Sequence, residues 1–483
     1  MVIRQANLKR NFMWQSATQI LSMILPLVTS PILSRALGVE GVGIYAYVTA
    51  VQGYFIMAAN LGIYKYGLRE IAKVRDDEHE LSRVFWEIWW IHAILSATVA
   101  IAYLVFAFMF VSYRTYFLIC FMGFLANVFN LNWLFSGVED IRRIAIRDIT
   151  TKVVSFVLVV LLVRDESDLG IYFIIMQTSA LVAGAIYWFG APQYIHWEHA
   201  SWRGMMAHYR GLMILSVPVA IESIYTSIGR VLLGTMADQS QVGYFDNADK
   251  ALIARTIIWS LTTVLMPRMA SVLNKKDTGQ FDRLMGKAVN IIMVLACAFG
   301  FGTAAVGDTF AVLFWGSEFE PSGVLISIMA LAMPGMALAR VVREQYLIPL
   351  SRNREYLVAT LIGTVANIVM NIALIPFLGA RGSAIAVFCT EYMICIVQIV
   401  LTRNELDMKR YLHRTGVYPI FGMIMFGIVK LVACLPIELW VSLLVQIGVG
   451  AFVYGGSCII YWKYTKQTQY FDLCSSFFRR FLR

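Results

Sequence analysis

Seven basic and three acidic side chains sit inside stretches that are otherwise continuously apolar: Lys152, Arg230, Lys250, Arg255, Arg340, Arg343 and Lys430 against Glu222, Glu344 and Glu391. An ionisable group placed in hydrocarbon costs about 2.5–3.5 kcal/mol on insertion scales, so each is a functional candidate by default. The excess is positive. Guanidinium groups stay charged and grip phosphate oxygens in pairs, which suits this set to an anion entering a low-dielectric region. Arg35, Arg230, Lys250 and Arg255 are expected at one depth, since Arg35 ends the first apolar run, Arg230 nears the end of the seventh, and Lys250 and Arg255 open the eighth. They form the primary anion-binding set, with no matching carboxylate expected at that level. Arg340, Arg343 and Lys430 form a secondary set.

Other uses of these charges stay open. Arg35, Arg230 and Lys250 lie close enough to predicted ends to snorkel toward headgroups. Arg340 and Glu344 are four residues apart and can pair on one helix face. Lys430 and Glu391 can neutralise each other or other runs. Glu222, the one deep carboxylate of the seventh run, either takes up protons, if burial raises its pKa, or serves an arginine as counter-ion; Glu391 is a candidate for the same roles. The seven cysteines show no CxxC spacing and read as packing residues, so neither a metal site nor a cofactor is expected. No Walker A, HExxH or GxSxG motif occurs, and no loop exceeds about twenty residues, so an enzyme with a soluble catalytic domain is not expected.

The elements that must hold these residues follow from composition. Of 483 residues 59% are hydrophobic and 14% charged, at a mean hydropathy of +0.68, where soluble domains carry about 25% charged residues. Fourteen apolar runs, each long enough to cross about 30 Å of hydrocarbon as a helix, predict an all-α polytopic membrane protein. The first, from Phe12, is too long for a signal-peptide core and is expected to stay as the first span. Alternate connectors are rich in Lys and Arg, while the opposite set holds only Arg35, Arg114, Arg164 and Arg381. That bias places both termini in the cytoplasm. The net charge of +10 is therefore topological, and no nucleic-acid partner is expected. The run from Lys73 to Arg83 reads as an amphipathic or solvated connecting helix. Trp86 to Trp90 and Tyr187/Trp188 read as interfacial belts.

A shift of 200 residues aligns VGIY (Val42 to Tyr45) with VGYF (Val242 to Phe245), each after a proline-bearing helix. A third echo, LGARGSAIA (Leu378 to Ala386), repeats the Gly38/Gly41 spacing at Gly379/Gly382. The repeat predicts two pseudo-symmetric six-helix lobes, 1–203 and 204–403, followed by spans 13 and 14 within 404–483. Repeated halves of this kind place the substrate path at their interface.

Seven stretches together resemble a known family: RALGVEGVGIY (Arg35 to Tyr45), NLGIYKYGLREIA (Asn60 to Ala72), LNWLFSGVED (Leu131 to Asp140), VGYFDNADK (Val242 to Lys250), LMPR (Leu265 to Arg268), REQYLIP (Arg343 to Pro349) and NIVMNIALIPFLGARGSAIA (Asn367 to Ala386), with Glu391 downstream. The chain resembles the Wzx-type polysaccharide flippases of the multidrug/oligosaccharidyl-lipid/polysaccharide exporter superfamily. The resemblance implies an alternating-access transporter of the bacterial cytoplasmic (inner) membrane. Such a protein moves undecaprenyl-pyrophosphate-linked oligosaccharide from the cytoplasmic to the outer leaflet for surface polysaccharide biosynthesis. Its partners would be that lipid-linked substrate, membrane lipids, and assembly proteins such as a polysaccharide polymerase. Where the family often carries an acidic residue before a basic one in the seventh span, this chain has Gly229 before Arg230. The alternative within the superfamily, a drug or organic-cation antiporter, calls for carboxylates rather than arginines in its cavity.

Overall fold

The computed structural model describes residues 8–466 except 61, 110, 111 and 276, without the side chains of residues 8, 9, 12, 214, 215, 218, 219 and 222. All described elements are helical, as continuous apolar runs demand, because each buried backbone group in hydrocarbon must be satisfied within its own segment. The first unit contains α1 (Leu8–Asn60), α2 (Ile63–Val74), α3 (Glu78–Met109), α4 (Arg114–Cys120), α5 (Met122–Phe129), α6 (Asn132–Gly137), α7 (Ile141–Leu162), α8 (Leu169–Gly190) and α9 (Trp202–Met236). Then come α10 (Gln239–Ala251), α11 (Arg255–Asn274), α12 (Thr278–Trp315), α13 (Glu320–Ala330), α14 (Met333–Val342), α15 (Asn353–Leu378), α16 (Ala380–Thr402), α17 (Met408–Thr415), α18 (Val417–Ala433) and α19 (Leu439–Tyr464).

Eleven stretches are long and apolar enough to cross a membrane. One of them contains α1, which is two limbs rather than one: Gly38, at φ 63° and ψ −178°, breaks the helix. That left-handed φ is open to glycine at no steric cost. α7 and α9 supply two further spans, 22 and 35 residues long. α7 is the more polar because Arg147, Asp148 and Lys152 occupy its first half. There Arg147 lies 4.1 Å over the Tyr187 ring and Lys152 donates to Ser22 Oγ at 2.6 Å. With the two limbs of α1 taken separately and α7 and α9 added, the described residues hold fourteen segments of spanning length.

The helices form two compact units, Met1–Asp246 and Asn247–Arg483. The seventh span, α9, packs on α1, α2 and α3, so the packing boundary follows it. The repeat boundary at 203/204 precedes it and concerns chain symmetry.

In the first unit an aromatic core fills the end that carries α2. Phe85 stacks on Trp133 at 5.3 Å and Phe135 on Tyr187 at 4.9 Å, contacts worth about 0.5–1.5 kcal/mol each beyond their burial. Trp86 and Tyr187 belong to this core, which corrects their reading as interfacial belt residues. Trp86 Nε1 donates to the His196 carbonyl at 2.9 Å, so even its polar atom points inward. The acidic-basic run from Lys73 to Arg83 is not one connecting helix either. It spans the end of α2, a turn, and the start of α3, where Asp77 Oδ1 accepts from the backbone N–H of His79 and Glu80. The amphipathic helix is α2 itself, which buries Ile63, Tyr66, Gly67 and Ile71 on one face.

At the α1 break the chain makes close backbone contact with the start of α10. A Cβ on Gly43 would lie 1.8 Å from the Gln239 carbonyl oxygen, and one on Gly243 would lie 2.2 Å from that of Val39. In the second unit the α15–α16 hairpin turns at Gly379, φ 54°. Asn371 knits it together, donating to the Asn367 carbonyl at 2.8 Å and accepting from Ser383 Oγ at 2.7 Å. Asn367 in turn donates to Thr390 Oγ1 at 3.1 Å. Such interhelical polar contacts hold helices together where lipid supplies no hydrophobic drive.

Candidate functional site

The eighth span begins earlier than hydropathy predicts, and this changes the site. α10 starts at Gln239 and runs through a single 3₁₀ turn, Leu252–Ala254, into α11. Lys250 and Arg255 therefore lie eleven and sixteen residues into a continuous helical stretch, about 16 and 24 Å along it at 1.5 Å per residue. Contrary to the expectation from hydropathy, they do not open the helix but follow its first three turns. Two carboxylates also stand among these arginines, against the expected absence of matching acids. In the first unit Arg230 Nε donates to Asp246 Oδ1 at 2.7 Å. In the second, Arg255 makes a two-pronged contact with Asp249, Nη1 to Oδ1 at 2.7 Å and Nη2 to Oδ2 at 3.3 Å.

Within the second unit the primary and secondary candidates meet. Trp259, one turn beyond Arg255, has two guanidinium groups near its ring, Arg255 at 5.6 Å and Arg340 at 4.9 Å. Arg340 also donates from Nε to Thr262 Oγ1 at 3.3 Å, and its Nη2 lies 3.5 Å from Glu344 Oε1. The same carboxylate oxygen lies 3.3 Å from Arg343 Nη2, so the pairing expected between Arg340 and Glu344 is shared with a second arginine. Arg343 sits 5.2 Å over the Tyr356 ring, and its Nε is buried with no hydrogen-bond partner. The helix widens here into a π turn, Arg343–Leu347, closed by Ile348 N–H donating to the Arg343 carbonyl at 2.9 Å. Single π turns of this kind are frequent at functional sites. Three guanidinium groups thus gather with the carboxylates of Asp249 and Glu344 around a half-buried aromatic platform. Such a cluster can bind a multivalent anion by exchanging carboxylate for phosphate oxygens.

The remaining candidates lie elsewhere. Arg35 is exposed, three residues before the Gly38 break. Lys250 is exposed and donates to Asn247 Oδ1 at 3.3 Å. Lys430 Nζ meets Asp308 Oδ2 of α12 at 2.5 Å, an ion pair between spans rather than with Glu391. Glu391 is buried in α16. The side chain of Glu222 lies outside the described residues. Among the described residues no group of three His, Cys, Asp or Glu side chains is placed to hold a metal ion, and six cysteines are free.

Sequence reasoning missed Asp246, Asp249, Trp259 and Thr262. The first two stand in VGYFDNADK, which straddles the expected start of the eighth span and where they figure only in the family resemblance. A helical signal was present there: Val242, Phe245, Ala248 and Leu252 are all buried and recur at helical spacing.

A fourteen-span, all-helical chain with paired arginines inside its spans is a membrane transporter in class. Its sequence matches the family described as "Polysaccharide biosynthesis protein" over residues 8–273, more than half of its length. The chain belongs to that family, the Wzx-type polysaccharide flippases. Residues 203–462 also match the family described as "Lipid II flippase MurJ". Among curated relatives, a "Putative O-antigen transporter" of Escherichia coli strain K12 is 23% identical over 413 residues, covering 83% of this chain and 97% of its own. A "Probable low-salt glycan biosynthesis flippase Agl15" of Haloferax volcanii is 21% identical over 240 residues, 49% of this chain and 50% of its own. A solved structure of the lipid II flippase MurJ in an inward closed conformation superposes with a TM-score of 0.71 at 15% identity, covering 93% of this chain and 98% of that one. An inward-facing MATE multidrug transporter gives 0.63 at 14% identity, covering 82% and 95%. At these identities the two structures establish the fold.

Proposed function

We propose that this chain is a lipid-linked glycan flippase that carries undecaprenyl-pyrophosphate-linked oligosaccharide from the cytoplasmic to the outer leaflet by alternating access. The observation that carries this reading is the arginine cluster at Trp259, where Arg255 and Arg340 meet the ring and Arg343 shares the Glu344 carboxylate with Arg340. Arginine forks match phosphate oxygens pairwise, and the internal acids hold these charges in place until a diphosphate displaces them. Arg35, Arg230 and Lys250 supply the remaining positive charge of the path. The names of the curated relatives, an O-antigen transporter and a glycan biosynthesis flippase, support the same substrate class.

The membrane potential suffices as a driving force. A headgroup with about two negative charges gains roughly 4–5 kcal/mol on crossing 100 mV, negative inside. In this reading both termini are cytoplasmic, the repeat relates 1–203 to 204–403, and a polysaccharide polymerase receives the product outside. The test is polymer export in a flippase-deleted bacterial host, normalised to membrane protein level. The triple Arg255/Arg340/Arg343→Gln variant should be made and inserted yet export no polymer; full export by it refutes the assignment.

A further inference from the structure

The fourth span is broken in the first unit, and the break opens onto a polar groove distant in chemistry from the arginine cluster. α5 stops at Phe129, Asn130 takes an extended conformation at ψ 100°, and α6 resumes at Asn132. Non-helical backbone at membrane depth persists only where it is buried in protein or lines a wet cavity. Here a groove of about 330 Å³ runs along it, within the lower range of small-molecule sites. Its lining brings together four asparagines, Asn60, Asn127, Asn130 and Asn132, with His92 and Trp133.

Lys65 also lines the groove, and the rest of the polar lining suits uncharged partners. A carboxamide offers a donor pair and an acceptor in one plane, a match for the neighbouring hydroxyls of a sugar ring. Some of that capacity is used internally. Asn127 Nδ2 contacts His92 Nε2 at 2.9 Å, Asn130 Oδ1 accepts from the Asn132 N–H at 3.1 Å, and Asn132 Oδ1 accepts from Ser136 Oγ at 3.2 Å. Two polar atoms of the lining residues are left over. His92 and Trp133, each 2% exposed, have no hydrogen-bond partner at Nδ1 and Nε1 respectively. An unsatisfied buried polar atom costs about 1–3 kcal/mol, so the residues around the groove hold hydrogen-bonding capacity that the protein itself leaves unused.

We infer that this groove is a glycan subsite, binding an uncharged pyranose of the lipid-linked oligosaccharide. The inference rests on the flippase reading above and adds where the sugar, as distinct from the diphosphate, is held. The groove lies between the end of α1 and the α5–α6 break, at the start of α2, the helix that bears Lys65, Arg69 and Lys73 and ends at Arg75. The charge bias puts that end in the cytoplasm, the side from which the substrate enters.

The experiment measures binding by the full-length protein in proteoliposomes of two probes, undecaprenyl diphosphate bearing the host repeat unit and undecaprenyl diphosphate without sugar. The wild type should hold the sugar-bearing lipid about tenfold more tightly, the contribution of about two ordinary hydrogen bonds. Asn130→Ala/Asn132→Ala should erase that preference and leave the bare lipid's affinity unchanged; Arg255→Gln should weaken both probes alike. If the double variant loses bare-lipid binding as well, it has misfolded, and Asn130→Ala alone, at an exposed side chain, decides the matter by the same criterion. Equal affinity of the wild type for both probes, or a preference that survives the substitutions, overturns the subsite while leaving the flippase reading intact. Failure of the wild type to bind either probe overturns the flippase reading itself.

Discussion

Gly43 and Gly243 stand 200 positions apart and make the same contact from opposite sides: Gly43 packs on the carbonyl of Gln239, and Gly243 on the carbonyl of Val39. Val39 and Gln239 are themselves 200 apart. The contact is thus its own image under the 200-residue shift that aligns VGIY with VGYF. It explains why both positions carry the one residue without a Cβ.

This symmetry predicts non-additive damage. Gly43→Ala and Gly243→Ala each force two backbones apart, since real Cβ atoms never approach a carbonyl so closely, and each should destabilise by about 1–3 kcal/mol or more. One separation relieves both clashes, so the double variant should lose distinctly less than the sum. Thermal unfolding of the purified variants in detergent measures this, and strictly additive losses contradict the shared contact.

The helical fold was legible in the sequence because hydropathy marks spans by length. Even the α1 break is visible in the glycine of RALGVEG. The site was only half legible. Arg255, Arg340 and Arg343 stand out as charges in apolar runs, but which of them share a platform depends on how α11 packs against α14 and the π turn, and no spacing along the chain encodes that. The start of the eighth helix was placed too late, since the polar turns at Asp246 and Asn247 precede its continuously apolar part. Asp246 and Asn247 are buried, and Asp246 and Asp249 are paired with arginines. Trp86 and Tyr187 misled in the opposite sense: aromatic residues near span ends looked like belts, although tertiary packing had enclosed them.

Lys430 was a candidate for the headgroup site, and its pairing with Asp308 argues for a structural role. Lys430→Met alone leaves a carboxylate without this partner near lipid and should lower the amount of folded protein. Lys430→Met/Asp308→Asn removes both charges and should restore it, with export per molecule within about twofold of wild type, since the desolvation of two ions offsets what their attraction returns. Western quantification together with polymer export checks this. A double variant that folds but does not export returns Lys430 to the transport path.

Topology can be read from a native residue. Cys434 is exposed at the end of α18, and the proposed orientation puts that end outside. An impermeant maleimide should label the wild-type protein in intact cells and fail to label Cys434→Ser. A cysteine placed at Asn274, at the other end of α11, should react only after permeabilisation. Labelling of the Asn274 cysteine in intact cells inverts the orientation.

Arg255 poses the sharpest choice, because its bidentate contact with Asp249 is open to two uses. As a purely structural pair it holds the α10–α11 turn, and removing both charges together should be harmless. As a phosphate site the pair is a latch, in which Asp249 keeps the guanidinium in place until a diphosphate takes over its fork. Arg255→Gln then removes a charged contact worth about 1.5–3 kcal/mol, a loss of roughly ten- to hundredfold in export. Arg255→Lys keeps the charge but not the fork and should fall between. The double variant Arg255→Gln/Asp249→Asn separates the two uses, since it should recover the expression and melting temperature lost by Arg255→Gln and still fail to export. Asp249→Asn alone frees the arginine from its resting partner and should bind undecaprenyl diphosphate more tightly than wild type. Wild-type export by the double variant, normalised to protein in the membrane, would make the pair structural and move the search for the headgroup site to Arg340 and Arg343.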